Sequence, residues 1–307
     1  MRDPAPETSL RESEGPSDPD PAVSVKSHES APVRGATVAT AGTSFDRLRN
    51  EFERGEVLRA LTVVIPMYRE SKRIERTVEA LAKSKLHRDG VSFCFVDDGS
   101  TDDTIDVTKA AIERFQLSNA EVLPLLRNLG KGGAVRSGIL HVASESHIVG
   151  YVDADLSLDP AELLTGVARL RLSSADALVG ERIVDPAKQP KIRRFASLVF
   201  RQVASSLVPT GVRDSQCAMK LFRSDVAVSI FTPLCTNGFA FDVEILGRLN
   251  RGRFVVREAP VLWEHQPGSQ ITTGVDGMRM LRELVSIRRA LRNSGPSSRP
   301  TPVSAQP

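Results

Sequence analysis

Asp153-Ala154-Asp155 closes the apolar run Ile148-Val149-Gly150-Tyr151-Val152, and an earlier carboxylate pair, Asp97-Asp98, closes another strand-like segment. Carboxylates at i and i+2 where a strand runs out can point to the same side. With a water or two they can hold Mg2+ or Mn2+ against a diphosphate. That is chemistry for a nucleotide substrate. A lone Asp-x-Asp is equally the solvated turn after a strand, so its meaning depends on what surrounds it.

Three other polar clusters supply that context. Gly130-Lys131-Gly132-Gly133 puts a cation and backbone N–H groups just ahead of a helix, a natural seat for phosphate. It lacks the Gly-Lys-[Ser/Thr] ending of a Walker loop, and a flexible turn with a solvated lysine is the alternative. Tyr68 can stack on a base, Glu70 can accept from a ribose hydroxyl, and Asp98 can accept the imide N–H of uracil. Asp97 and Asp98 are equally ordinary turn residues before Gly99.

The elements that must position these groups follow from periodicity. Leu61–Ile65 is a short apolar run stopped by Pro66, and residues 71–86 place Ile74, Val78, Leu81 and Ala82 on one helical stripe. Val91–Val96 reads as a buried strand, Ser100–Asp103 as helix N-cap chemistry, and Ile105, Thr108, Ala111, Ile112 and Phe115 as the next helix face. A strand over 121–126, a helix over 133–144 and a strand over 148–152 complete a third round. Strands alternating with helices through short connections imply an α/β fold, with a mainly parallel sheet covered by helices on both sides. Ligands of such sheets bind at the strand C-terminal ends, where all four polar clusters fall.

In order and spacing, Val64-Ile65-Pro66-Met67-Tyr68-Arg69-Glu70, Phe95-Val96-Asp97-Asp98-Gly99-Ser100-Thr101-Asp102, Arg127–Ala134 and Asp153-Ala154-Asp155 resemble the inverting GT-A glycosyltransferases of family 2. Asp214-Ser215-Gln216-Cys217-Ala218-Met219-Lys220-Leu221-Phe222 and Phe239–Leu246 are similar to dolichyl-phosphate beta-glucosyltransferases, and more loosely to dolichyl-phosphate mannose synthases. The resemblance implies that Pro66, Tyr68, Glu70 and Asp98 line base and ribose. It places Arg127 and Lys131 near the nucleotide, and Asp153 and Asp155 on a Mg2+ or Mn2+ ion. Asp242 then occupies the position of the acidic residue able to act as base, or it positions groups, or it is an ion-pair partner. Arg182, Arg193, Arg194 and Ser197 fall where the mannose synthases bind the acceptor phosphate, and Trp263 where the family has an acceptor-side loop.

The implied activity is transfer of a hexose, glucose from UDP-glucose, to a polyprenyl monophosphate, with inversion. A soluble acceptor and a non-catalytic nucleotide-sugar binder remain alternatives. A nucleotidyltransferase is disfavoured because no glycine-rich, arginine-bearing loop follows the first strand. Cys217-Ala218-Met219-Lys220 stands where the glucosyltransferases have Cys-Gly-Phe-Lys, and a polar arm stands in place of their N-terminal membrane anchor.

Composition sets the outer limits. The chain has 307 residues, 40% of them hydrophobic and 26% charged, which fits a globular protein. Residues 1–44 and 294–307 are rich in Pro, Ser and Thr with few large apolar side chains, and are expected to be disordered. The glycosyltransferase domain is expected over 45–293, with a nucleotide-binding half over 58–157 and an acceptor half over 158–293. No stretch approaches the ~20 apolar residues of a membrane span. No signal peptide is evident, and the three cysteines show no paired spacing, so a cytoplasmic location is expected. The whole-chain charge of +3 hides an acidic arm of seven acidic and four basic residues, which leaves about +6 on the rest. That excess suits a phosphate-bearing substrate or an anionic membrane surface, not nucleic acid. Basic and apolar residues alternate over 192–208, and again over 278–292, where Met278, Leu281, Leu284, Val285 and Leu291 face Arg279, Arg282, Arg288, Arg289 and Arg292. These are candidates for peripheral membrane contact or for helices packed on their own domain.

Overall fold

Alternation along the first strand explains the layering. In β1 (Leu61–Met67), Leu61, Val63, Ile65 and Met67 join one apolar cluster, while Val64 joins another on the opposite face. A strand buried on both sides needs a helical layer on each. The computed structural model describes residues 61–155, 157–183, 202–263 and 275–295, without the side chains of 275–279 and 281. The expected arm, the expected C-terminal tail from 296 onward, Arg193, Arg194, Ser197, and the side chains of Met278 and Leu281 therefore lie outside what is described.

One face is covered by α1 (Ile74–Lys83), α3 (Thr104–Arg114) and α5 (Pro160–Arg171), whose Ile74, Val78, Ala111, Leu163 and Val167 enter the first cluster. The other face carries α4 (Lys131–Val142), α6 (Ser224–Phe231) and α7 (Phe241–Arg251), through Val135, Ile139, Val226, Ile230, Phe241 and Ile245. Between them run β2 (Ser92–Asp97), β3 (Ala120–Pro124), β4 (Ile148–Tyr151), β5 (Ala177–Ile183), β6 (Lys220–Arg223) and β7 (Val256–Leu262). The sheet order is β3-β2-β1-β4-β6-β5-β7, and only β6 runs against its neighbours. The expected mainly parallel sheet is present, and both expected halves contribute to it.

Local details differ from the periodic reading where side chains found other partners. Residues 71–73 form a turn and α1 starts at Ile74, because Ser71 Oγ donates to Asp102 Oδ2 at 2.8 Å and does not cap the helix. After α1 the chain breaks at Ser84 into the short α2 (Lys85–Arg88). Asp103 occupies the N-cap of α3 without a side-chain cap bond. Its neighbour Asp102 instead accepts from the Thr104 hydroxyl at 2.6 Å and the Thr104 N–H at 3.3 Å. The third strand spans Ala120–Pro124 and ends before Leu126, whose side chain is fully exposed.

The C-terminal helix α8 (Val275–Asn293) docks on its own domain: Leu284, Ile287 and Leu291 pack with Ala204, Val208, Ala240 and Val243. Val285, expected on the apolar face, is instead 42% exposed among the outward Arg282, Arg289 and Arg292. The reason is angular: 285 lies about 100° from 284 and sits on the stripe of 282, 289 and 292. Among the described residues no helix is long and apolar enough to cross a membrane.

Candidate active site

Strands β3, β2, β1 and β4 are parallel neighbours, so their C-terminal ends share one rim. Direct contacts join each polar cluster to the next. The Arg69 N–H donates to Ser100 Oγ at 2.9 Å and the Glu70 N–H to Thr104 Oγ1 at 2.9 Å, which ties the segment after β1 to the segment after β2. Asp98 then reaches the loop after β3: Oδ1 accepts the Leu129 N–H at 2.7 Å and Oδ2 the Gly130 N–H at 2.8 Å. Lys131, at the start of α4, meets Asp153 after β4, Nζ to Oδ1 2.5 Å. Asp98, Lys131 and Asp153 thus form one chain of contacts, and Asp155 lies two residues on with its Oδ1 accepting the Ser157 N–H at 2.9 Å.

Electrostatics follow that geometry. Burial alone would lower the Lys131 ammonium, but the carboxylates of Asp153, Asp242 and Asp155 outweigh it and hold the lysine above its usual value. Burial lifts Asp98 above the usual carboxylate range, against the two backbone N–H groups that favour its anion. Asp97 is fully buried; its Oδ2 accepts the Ser100 N–H at 2.9 Å while Oδ1 has no partner among the described residues.

The glycine run departs from the open phosphate cradle suggested by its sequence. The Gly130 N–H is held by Asp98, and the Gly132 N–H donates to the Asn237 carbonyl at 2.8 Å. A Cβ on Gly132 would lie 2.5 Å from the Thr236 carbonyl oxygen and 2.6 Å from Phe241 Cβ. The glycines therefore let the 236–241 segment approach α4, and Lys131 is the group of that run facing the acidic side chains.

Other expected residues are placed as follows. Pro66 and Tyr68 are half-buried at the end of β1, and the Arg69 guanidinium lies 5.2 Å from the Tyr68 ring centroid. Both Glu70 oxygens are engaged by Arg73, at 2.7 and 2.8 Å. Arg127 is exposed on the loop after β3. Arg182 on β5 makes a two-pronged contact with Asp214, Nε to Oδ2 2.7 Å and Nη2 to Oδ1 2.9 Å, and its guanidinium lies 5.5 Å from the Trp263 ring centroid. Trp263 is bridged to Leu158, just beyond the Asp153–Asp155 turn.

Asp242, in the first turn of α7, is an ion-pair partner: its Oδ1 accepts from Lys220 Nζ at 2.6 Å and from the Tyr151 hydroxyl at 2.5 Å. Burial, then the Asp242 charge, pushes the Tyr151 phenol well above its usual range, which keeps it a donor. Glu244 faces away from this group: it pairs with Arg248 and accepts the Cys235 and Thr236 N–H groups. The sequence motifs assign no role to Tyr151 or Lys220. One signal marks Lys220: it interrupts an otherwise apolar Met219–Phe222 run.

Among the described residues no three His, Cys, Asp or Glu side chains form a ready ligand set. The pair Asp153 and Asp155 nevertheless suits a hard divalent ion completed by diphosphate and water, and the Lys131 ammonium sits against Asp153, where positive charge is favoured.

A mixed α/β sheet with this rim is the architecture of the GT-A glycosyltransferases. The fold matches the crystal structure of Mycobacterium tuberculosis glucosyl-3-phosphoglycerate synthase in complex with Mn2+, UDP-glucose and phosphoglyceric acid, with a TM-score of 0.59 over 78% of this chain and 83% of that one, at 19% identity. The chain belongs to glycosyl transferase family 2, whose profile matches residues 62–231. It is similar to dolichyl-phosphate beta-glucosyltransferase of Saccharomyces cerevisiae, 30% identical over 75% of this chain and 74% of the yeast protein. The enzyme of that name from Homo sapiens is 30% identical over 74% of each chain.

Proposed function

We propose that the protein is a metal-dependent inverting glycosyltransferase that moves glucose from UDP-glucose to a polyprenyl monophosphate at a membrane surface. The observation that carries this reading is the Lys131–Asp153 contact, which brings the loop after β3 against the Asp-x-Asp turn after β4. The acceptor class rests on the similarity to dolichyl-phosphate beta-glucosyltransferases over three quarters of the chain.

In this reading Tyr68 and Pro66 receive the base, and Asp98 acts through the loop it holds. Asp153 and Asp155 hold Mg2+ or Mn2+, which when bound neutralises charge on the donor diphosphate. Lys131 stabilises the negative charge that gathers on the departing nucleoside diphosphate, more in the transition state than before it. A monophosphate acceptor with a second pKa of about 6 is largely dianionic at neutral pH. Asp242, already accepting two hydrogen bonds on one oxygen, therefore serves as a fixed charge and not as the base. Arg182, oriented by Asp214 and Trp263, borders the acceptor side. Arg193, Arg194 and Ser197 complete the acceptor set proposed from the family resemblance. The outward stripe Arg282, Val285, Arg289 and Arg292 on α8 suits an anionic membrane surface.

The test is incubation of the purified protein with radiolabelled UDP-glucose, polyprenyl phosphate and Mg2+. The expected outcome is a lipid-linked product that disappears with chelator and with Asp155→Asn, while the variant keeps its folding stability. No lipid-linked product, or full activity of Asp155→Asn, would reject the corresponding part of the reading. Flotation with anionic liposomes at low salt tests the membrane contact.

A further inference from the structure

Lys220 is completely buried in the sheet, with its ammonium bound to Asp242 Oδ1 and to the Cys217 carbonyl, each at 2.6 Å. An ammonium in that position is costly unless paired, and well-packed apolar replacements of buried ion pairs are often neutral or stabilising. Fold stability alone does not call for a lysine here. Tyr151 stands directly across from it: β4 and β6 pair antiparallel with Tyr151 opposite Lys220, and Lys220 Nζ lies 5.6 Å from the Tyr151 ring centroid. Opposed residues of neighbouring strands project to the same face, and here both reach the first turn of α7. The Tyr151 ring is itself fixed by Phe222, Phe231 and Phe241, at centroid distances of 6.3, 6.5 and 5.6 Å.

We propose that Tyr151 and Lys220 are positioning residues for Asp242: a cross-strand pair that clamps one carboxylate oxygen and so fixes that charge at the start of α7, where α7 packs on the start of α4. Three observations converge. Both donors bind the same oxygen, Oδ1, which fixes the carboxylate's orientation. Tyr151 packs in the same apolar cluster as Ala134 and Val135 of α4, so the clamp lies on the sheet face covered by the helix whose first residue, Lys131, meets Asp153. The start of α7 also packs on the start of α4, where a Cβ on Gly132 would lie 2.6 Å from Phe241 Cβ. Sheet and helix are thereby coupled at one atom.

This inference rests on the reading in which Asp242 belongs to the active site, and the experiment separates the two. Tyr151→Phe is the informative variant, because it removes one hydroxyl and keeps the ring packing, whereas Lys220→Met strands a buried carboxylate and destabilises the fold. For Tyr151→Phe the expected result is a fall in kcat of about tenfold, the loss of one charge-assisted hydrogen bond, with donor KM within about twofold and a melting temperature lowered by only a few degrees, so that the variant remains folded in the assay. In an Asp242→Asn background the same change should cost no further turnover, as expected for residues that act through one another. Full kcat in Tyr151→Phe beside a crippled Asp242→Asn would overturn the positioning role alone, as would an equal fall in both backgrounds. Wild-type turnover by Asp242→Asn would instead remove Asp242 from the active site, and the positioning role with it.

Discussion

Asp98 Oδ2 accepts the Gly130 N–H at 2.8 Å, so a side chain at the end of β2 fixes the glycine that opens α4. Gly130 has φ +90°, and a Cβ there would lie 2.6 Å from the Asn237 carbonyl oxygen. The two features demand each other: the left-handed turn aims the N–H at the carboxylate, and the carboxylate stabilises the turn.

Asp98→Asn should destabilise the protein by about 1–3 kcal/mol, because an amide cannot accept both the Leu129 and Gly130 N–H groups without presenting its own donors to them. Gly130→Ala should cost at least as much, through strain at positive φ and overpacking against Asn237. Urea denaturation midpoints at constant slope measure both. Stability of Gly130→Ala within about 0.5 kcal/mol of the parent would contradict the geometry.

Lys131→Met removes the ammonium that sits on Asp153. Turnover should fall by about a hundredfold, the scale of losing one electrostatic contact to a leaving group. Binding of Mn2+ without donor should tighten, since the lysine no longer competes for Asp153. Titration calorimetry with Mn2+ reads the second effect independently of catalysis.

The Arg182–Asp214 pair predicts an acid sensitivity with a defined sign. Burial works to raise Asp214, but the Arg182 hydrogen bond and charge prevail and hold its carboxyl below the usual range. A depressed folded pKa gives stability that is fully present above the unfolded value of about 3.9 and is lost as pH falls through the folded one. Asp214→Asn should therefore be less stable than the parent at neutral pH, and the gap should begin to close below about pH 4 and vanish as pH falls through the depressed folded value. Thermal unfolding across pH 2–7 would show a constant gap if the pairing were unimportant.

Glu244 and Arg248 are nearly solvent-free, and Glu244 also carries the Cys235 and Thr236 N–H groups of the loop that meets Gly132. Glu244→Gln should cost about 3–5 kcal/mol, the penalty for leaving a buried partner charge unmatched. Hydrogen exchange at Gly132 should accelerate as the 233–238 loop loosens. Protection at Gly132 equal to the parent would break the proposed link between α7 and the loop.

Much of the fold was legible because its signals are local. Ile74, Val78 and Leu81 fall on one helical stripe whatever the rest of the chain does, and alternation of strand and helix patterns admits few arrangements beyond a covered, largely parallel sheet. The four polar clusters were placed correctly on one rim because parallel neighbours must align their C-terminal ends. Partners were not legible. Glu70 was expected to face a ribose, yet Arg73, three residues on, engages both its oxygens. The Gly130–Gly133 run reads as either a phosphate seat or a flexible turn, and neither reading reveals that Asp98 and Asn237 take up part of its backbone.

From residue order alone follow the family's motifs, the alternating elements and the carboxylates and lysine at the strand ends, since each depends on neighbours within a few positions. Only the folded chain decided that Asp153 meets Lys131, that Asp98 anchors a loop and that Lys220 and Tyr151 converge on Asp242. Those contacts join residues 22 to 91 positions apart across a sheet and a helix, and hydrogen-bond partners at that separation are chosen by strand register and helix docking, which local pattern does not encode.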